Sequence, residues 1–313
     1  MTMDNAIVTT DLVKRYGARR ALDGLSLAVP RFAVLGLIGP NGAGKTTWMM
    51  SVAGFLHTAA GSIDLLGCGP FDSSVHRGRI TILPQDSELP LESRPIELLT
   101  HYGLLQGLTR QEASQSAQAM LTEVHLGDRL NAPIRSLSHG MRKRVMIAQC
   151  FLGYPEVVLL DEPLSGLDPR EVAHMRSFLT RRRGRQTLVI SSHNLHDIEV
   201  MCDHVAFIEN GRTVRIATME EIVGTASTLV YGLTSLPEDL AALAEIVPDT
   251  VLTCKAETVE LVCRYNPRES SAEAINARLI PALLTQCGVL TVSQGSNLET
   301  EYLHGQALEP LLR

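Results

Sequence analysis

The sequence predicts an α/β protein of two units, the larger built on a parallel sheet and the smaller an α+β unit that follows it. Three observations carry that expectation. Gly39-Pro40-Asn41-Gly42-Ala43-Gly44-Lys45-Thr46-Thr47 stands between the apolar run 32–38 and a helix-like stretch that begins at Thr46, the strand–loop–helix setting of a phosphate-binding loop. Residues 156–161 and 186–191 read as strands with a helix over 170–179 between them, and such a crossover implies parallel strands. After Gly224 the pattern becomes β-α-β-β-α-β, the order of a ferredoxin-like unit. The expected division is therefore 1–224 and 225–313, and 313 residues suffice for one large core and a smaller one.

Taken in order, Ile7-Val8 and residues 12–17 alternate as strand, and Leu25, Leu27 and Val29 alternate in the next stretch. Together they predict a small antiparallel sheet ahead of the buried strand 32–38, with residues 61–67 as a further hairpin arm. Residues 80–85 predict a second core strand, ended by Pro84. Residues 91–124 predict helices, one starting at Pro95 and one capped by Thr109 with Glu112 three residues on. Arg181-Arg182-Arg183 reads as a solvated helix end that suits the helix dipole and carries no function. In the second unit, residues 228–232, 251–254, 259–263 and 289–292 predict strands, and residues 237–246 and 271–284 predict helices. Near its end Asn297-Leu298-Glu299-Thr300-Glu301-Tyr302-Leu303 predicts a short amphipathic helix.

Composition narrows the function classes. Hydrophobic residues make up 45% and charged residues 20%, an ordinary globular balance. A formal net charge of −6 argues against a general affinity for nucleic acid or anionic lipid. No run approaches the ~18 apolar residues of a membrane helix, and the first thirty residues lack the basic and apolar regions of a signal peptide. The six cysteines are scattered without a C-x-x-C pair, which predicts reduced core thiols rather than a metal site or a disulfide framework.

The chemistry sits at two places. In the loop, Gly39, Gly42 and Gly44 let the backbone turn tightly and aim N–H groups at phosphate oxygens. Lys45 is placed to reach the β- and γ-phosphates and the Thr46 hydroxyl to ligate Mg²⁺. Gly39, Asn41, Gly42, Ala43, Gly44, Lys45, Thr46 and Thr47 form the expected nucleotide-binding segment. The strand 156–161 ends on Asp161-Glu162-Pro163, and ligands of open α/β sheets collect at such carboxyl ends. Asp161 is expected to hold Mg²⁺, and Glu162 to orient or deprotonate the attacking water. Two acids after an apolar strand are by themselves often a solvated turn; beside a phosphate loop they become a hydrolytic pair.

With these motifs in place, the chain resembles the ATP-binding subunit of an ABC transporter over roughly residues 7–223. Leu137-Ser138-His139-Gly140-Met141 stands where that family has its L-S-G-G-Q signature, and Ser165-Gly166-Leu167-Asp168 where it has its D-loop. Gln85 matches the Q-loop glutamine, His193 the switch histidine and Tyr16 the aromatic that stacks on adenine. The resemblance implies a P-loop NTPase with a RecA-like core, an antiparallel β subdomain and a helical subdomain at about 86–140, with ATP and Mg²⁺ as ligands. It assigns catalysis to Glu162, His193 and Gln85, Mg²⁺ to Thr46, Gln85 and Asp161, and nucleotide contacts also to Tyr16, Ser138, Gly140 and Asp168. His139 replaces the first signature glycine and Met141 the glutamine. The expectation is that the side chain of His139 is tolerated pointing outward, Gly140 being the tighter position.

In that family each ATP lies between the loop of one subunit and the signature of another, which implies a head-to-tail homodimer or pseudo-dimer. It further implies docking on separate transmembrane permease subunits, most simply of an exporter of the ABC-2 kind, at the cytoplasmic face of the cell membrane and with no nucleic acid. The alternative is a soluble non-transport ABC ATPase associated with DNA or ribosomes. The interval between Gly44 and Ser138 is too short for the coiled-coil insertion of the repair type, and the ribosomal type usually carries two cassettes and a basic linker. A third reading, a regulatory subunit without turnover, is disfavoured by the intact Glu162 and His193. The amphipathic segment 297–303 is expected to dock on the ATPase unit or, preferably, to pair across the dimer.

Overall fold

The computed structural model describes residues 4–223, 227–266, 269–294 and 298. The chain divides into Met1–Thr218 and Met219–Arg313, a few residues ahead of the division expected at Gly224.

In chain order the first unit holds β1 (Asn5–Tyr16), β2 (Arg19–Pro30), β3 (Val34–Ile38), α1 (Lys45–Val52), β4 (Ala60–Leu65), α2 (Ser73–His76), β5 (Ile80–Leu83), α3 (Pro95–Leu105), α4 (Arg110–Glu123), α5 (His139–Gln149), β6 (Val157–Asp161), α6 (Pro169–Thr180), β7 (Thr187–Ser191), α7 (Leu195–Met201), β8 (His204–Glu209) and β9 (Arg212–Thr218). One sheet has the order β2-β1-β4, with β1 antiparallel to both neighbours. The other has the order β5-β6-β7-β3-β8-β9. Its first five strands are parallel and β9 closes the edge antiparallel to β8. Every residue of β3, β6 and β7 is buried, as a parallel sheet covered on both faces requires. That burial explains why these strands read as unbroken apolar runs rather than as alternation.

The two sheets share one core with α1. Trp48 of α1 is fully buried among Leu25, Leu35 and Leu37, and its indole N–H donates to Thr9 Oγ1 of β1 at 3.1 Å. The helix that follows the phosphate loop is therefore pinned to the antiparallel sheet by one large side chain with its single polar atom satisfied. α4 begins with the expected reciprocal cap: the Glu112 N–H donates to Thr109 Oγ1, and the Thr109 N–H donates to Glu112 Oε2.

Arg182 corrects the sequence reading of the arginine triplet, whose other members, Arg181 and Arg183, are exposed. Arg182 is buried, pairs with Glu123 at 2.9 Å and lays its guanidinium 3.8 Å from the centroid of Phe178. The last turn of α6 faces the end of α4, so Arg182 finds a carboxylate and an aromatic face there instead of water. Arg183 likewise donates to the Met201 carbonyl at 2.8 Å.

The second unit holds α8 (Met219–Val223), β10 (Ser227–Leu233), α9 (Leu240–Ile246), β11 (Thr250–Lys255), β12 (Glu260–Tyr265), α10 (Ala272–Gln286) and β13 (Val289–Gln294). Its sheet has the order β11-β12-β10-β13, antiparallel at every step. β10 and β11 are thus joined by a helix and separated by β12, the split crossover of a ferredoxin-like unit. Leu229, Tyr231, Leu243, Leu261, Leu279 and Leu283 make a core of its own. Apart from Leu298, which is buried, the helix expected over 297–303 lies outside the described residues.

Candidate functional site

The phosphate loop owes its shape to backbone crowding. A Cβ at Gly39 would come 2.0 Å from the Ile208 carbonyl oxygen, and one at Gly44 would come 2.7 Å from that of Ala21. Gly44 also sits at φ 113°, where a side chain is strained. α1 starts immediately after it with no side-chain cap, so its first N–H groups are left to an anion.

Lys45 is 8% exposed, and its ammonium donates to the carbonyls of Gly39 at 2.6 Å and Pro40 at 3.2 Å. It has no carboxylate within ion-pair distance among the described residues. Burial lowers its pKa, opposed by the charges of Glu162 and Asp161. The buried cation is thus held by carbonyls of its own loop.

The acids stand across from it. Thr46 Oγ1 donates to Asp161 Oδ2 at 2.5 Å, and Ser191 Oγ donates to Asp161 Oδ1 at 2.5 Å. The Glu162 N–H donates to Ser191 Oγ at 2.9 Å. Glu162 itself takes φ 50°, left-handed backbone that a branched or long side chain adopts at a cost. This bend turns its carboxylate away from the sheet and beside His193, whose Nε2 lies 3.1 Å from Oε1. That approach is off the hydrogen-bond direction, and Oε1 is buried without a hydrogen-bond partner. An unsatisfied buried acceptor is costly; this one is an oxygen free to accept from a donor such as water.

Burial raises the Glu162 pKa above the ordinary glutamate value, with His193 and Lys45 opposing and Asp161 adding to the rise. A base works only when ionised, so the sign is plain: hydrolysis is lost as pH falls through the raised value. The acid limb of a kcat/KM–pH profile should therefore have its midpoint above ~4.3. A limb at or below that value would contradict a buried Glu162 as the base.

A cavity of about 370 Å³ joins these groups, large enough for a nucleotide. Of the expected residues, Tyr16, Asn41, Gly42, Ala43, Gly44, Lys45, Thr46, Thr47, Gln85, Asp161, Glu162 and His193 line it. Gly39 borders it through the carbonyl that receives Lys45. Tyr16 is half exposed at its mouth, with the Lys14 ammonium 5.4 Å from the ring centroid. Ser138, Gly140 and Asp168 do not line it. Ser138 caps α5 by accepting the Met141 N–H, and Asp168 caps α6 by accepting those of Arg170 and Glu171; both are exposed.

Sequence reasoning missed four participants. Arg19 lines the cavity and donates to the Gly42 carbonyl at 3.3 Å, and Ala21 lines it beside Gly44. Ser191 bridges the two acids, and the only trace of it in the sequence is a polar residue closing an apolar strand just before His193. Lys143 is 5% exposed on α5. Burial lowers its pKa, opposed first by Glu162 and then by Asp161, so its charge lies in the field of both acids.

Comparison with known proteins agrees with this geometry. A family model described as ABC transporter matches residues 22–165. The Nod factor export ATP-binding protein I of Ralstonia nicotianae is 34% identical over 249 residues, 75% of this chain and 76% of that protein. The daunorubicin resistance ATP-binding protein DrrA3 of Streptomyces coeruleorubidus is 34% identical over 221 residues, 70% of each chain. Among solved structures, cbiO1 of Clostridium perfringens, described as part of the ABC transporter complex cbiONQ, superposes with a TM-score of 0.61 at 26% identity, covering 70% of this chain and 90% of that one.

Proposed function

Because this chain belongs to the ABC transporter family of ATP-binding subunits and is an ATPase of that family, we propose that it powers a separate membrane permease, and that the cargo moves outward. The relatives named for Nod factor export and daunorubicin resistance support the outward direction. Among the described residues no helix is long and apolar enough to cross a membrane. We assign the channel to separate chains and place this one at the inner face of the membrane. A groove of about 430 Å³ supports that docking: it runs between β5 and α3, with Ile82, Tyr102 and Leu105 on its walls.

The observation that carries the reading is Glu162, whose buried carboxylate keeps one oxygen unbonded in the cavity that also holds Lys45. In the proposed reaction the γ-phosphate lies against Lys45 and His193. Glu162 accepts a proton from water as the water oxygen bonds to γ-phosphorus and the bond to the β-phosphate oxygen breaks, leaving ADP and phosphate. Thr46, Asp161 and Gln85 offer oxygen atoms in this cavity, a donor set that suits Mg²⁺. When bound there the ion would neutralise phosphate charge. Tyr16 is placed to stack on the base.

Ser138, Gly140 and Asp168 are assigned to the ATP of a second subunit in a head-to-tail dimer. The exposure of Ser138 and Asp168, and the place of all three outside this chain's own cavity, support that assignment. Phosphate release from the purified chain, together with recovery of a membrane protein on affinity capture, tests the whole. Turnover with ribosomes or DNA as the captured partner would overturn the transport reading.

For the second unit we propose a role in holding two ATPase units near one another between ATP-bound states. A chain shortened to end near Gly224 should still bind ATP. Its hydrolysis should depend more steeply on protein concentration than that of the full chain, since a tether raises effective concentration. Identical concentration dependence in enzyme-dilution series would rule the tether out.

A further inference from the structure

His139 is exposed, and its ring lies over Gly166. Its Nε2 lies 2.9 Å, and its Cδ2 3.4 Å, from where a Cβ at Gly166 would stand. Gly166 is at φ 79°, so the loop bends away at that point and leaves room for the ring. The next pair repeats the contact, since a Cβ at Gly140 would meet Leu167 Cδ2 at 3.5 Å. That is ordinary contact, so Gly140 is not crowded within one chain; its expected tightness concerns the approach of a second subunit.

Further in, Arg144 of α5 lies 2.9 Å from Glu171 of α6, with the Arg144 side chain buried. Residues 139 and 144 thus stand opposite 166 and 171. A charge pair ties α5 to α6 at Arg144 and Glu171, and nearer the two starts the imidazole lies over Gly166 with Leu167 against Gly140. Both tips are exposed.

We propose that His139 is a positioning residue that braces the 165–168 loop against the turn at Ser138, so that the two meet a second copy of this chain as one surface. This rests on the dimer reading above. A glycine at position 139 would remove the imidazole from beside Gly166, and more of the ordering of the loop tip would then fall to the moment of closure. The nucleotide cavity of the same chain does not include His139, so the brace acts on closure and turnover and not on ATP affinity of the single chain.

The test uses the full chain carrying His139→Ala or His139→Gln. Because position 139 is exposed, neither change should shift thermal unfolding by more than surface substitutions do. For His139→Ala the expected result is an ATP Kd at high dilution within about twofold of the parent, with kcat down about tenfold. Gln, which keeps the bulk and an N–H donor, should recover most of the loss. In a Glu162→Gln background, gel filtration with ATP should show less dimer for His139→Ala than for native His139. A wild-type kcat for His139→Ala, or a Gln variant no better than Ala, overturns the brace. If the Glu162→Gln chain with native His139 remains monomeric in ATP, the dimer reading fails. If it dimerises and its His139→Ala version dimerises equally, only the brace fails.

Discussion

Glu162→Gln should bind ATP like the parent chain and hydrolyse it 10²–10⁴-fold more slowly, roughly the range expected when a general base is removed. The amide keeps the size of the side chain and its place in the left-handed bend, but it cannot take a proton from water. It also replaces a carboxylate that burial already disfavours, so the folded state should not suffer. The ATP-bound state should then persist as a closed dimer visible by gel filtration. A variant that turns over at the parent rate would remove Glu162 from the mechanism. One that loses ATP binding would instead make it a structural support of the cavity.

Lys45→Ala should show the second large effect. The ammonium is buried and, among the described residues, bonded only to two carbonyls of its own loop. Replacing it leaves the glycines and their backbone geometry in place while removing the charge meant for the β- and γ-phosphates. Charge-assisted hydrogen bonds contribute about 1.5–3 kcal/mol each, so ATP affinity should fall on the order of a hundredfold. At an ATP concentration near 100 times the parent Kd, binding stabilises the fold by about 2.7 kcal/mol. In the variant the same concentration would contribute about 0.4 kcal/mol. The ATP-induced rise in Tm should accordingly shrink to a degree or so. An undiminished rise would contradict the role given to Lys45.

The residues legible in the sequence share one property: their chemistry forces residue type and spacing over a short stretch. A loop that wraps phosphate needs small residues where Gly39 and Gly44 meet carbonyls, and a lysine and a hydroxyl at the helix start. Asp161 and Glu162 are legible because they end an apolar run that can only be a buried strand. Thr109 and Glu112 announce a helix start for the same local reason. Arg182 was misread because its partner Glu123 is 59 residues away, and nothing near position 182 distinguishes a buried arginine from two flanking ones. Ser191 was missed because it acts on Asp161 across 30 residues, through two parallel strands that happen to be neighbours.

The amino-acid sequence alone determined the fold class, the nucleotide loop, the two acids and the order of the elements that hold them. Periodicity, turn residues and caps act within a few residues of one another, and a linear chain records such relations directly. The tertiary structure alone decided which side chains face each other: that Glu162 bends left-handed beside His193, that Lys143 lies in the field of both acids, that Arg182 is buried, and that His139 leans on Gly166. These are distances between segments far apart in the chain. They follow from how the helices pack on the sheets, and burial and electrostatics act through space, with no record in the spacing of residues along the backbone.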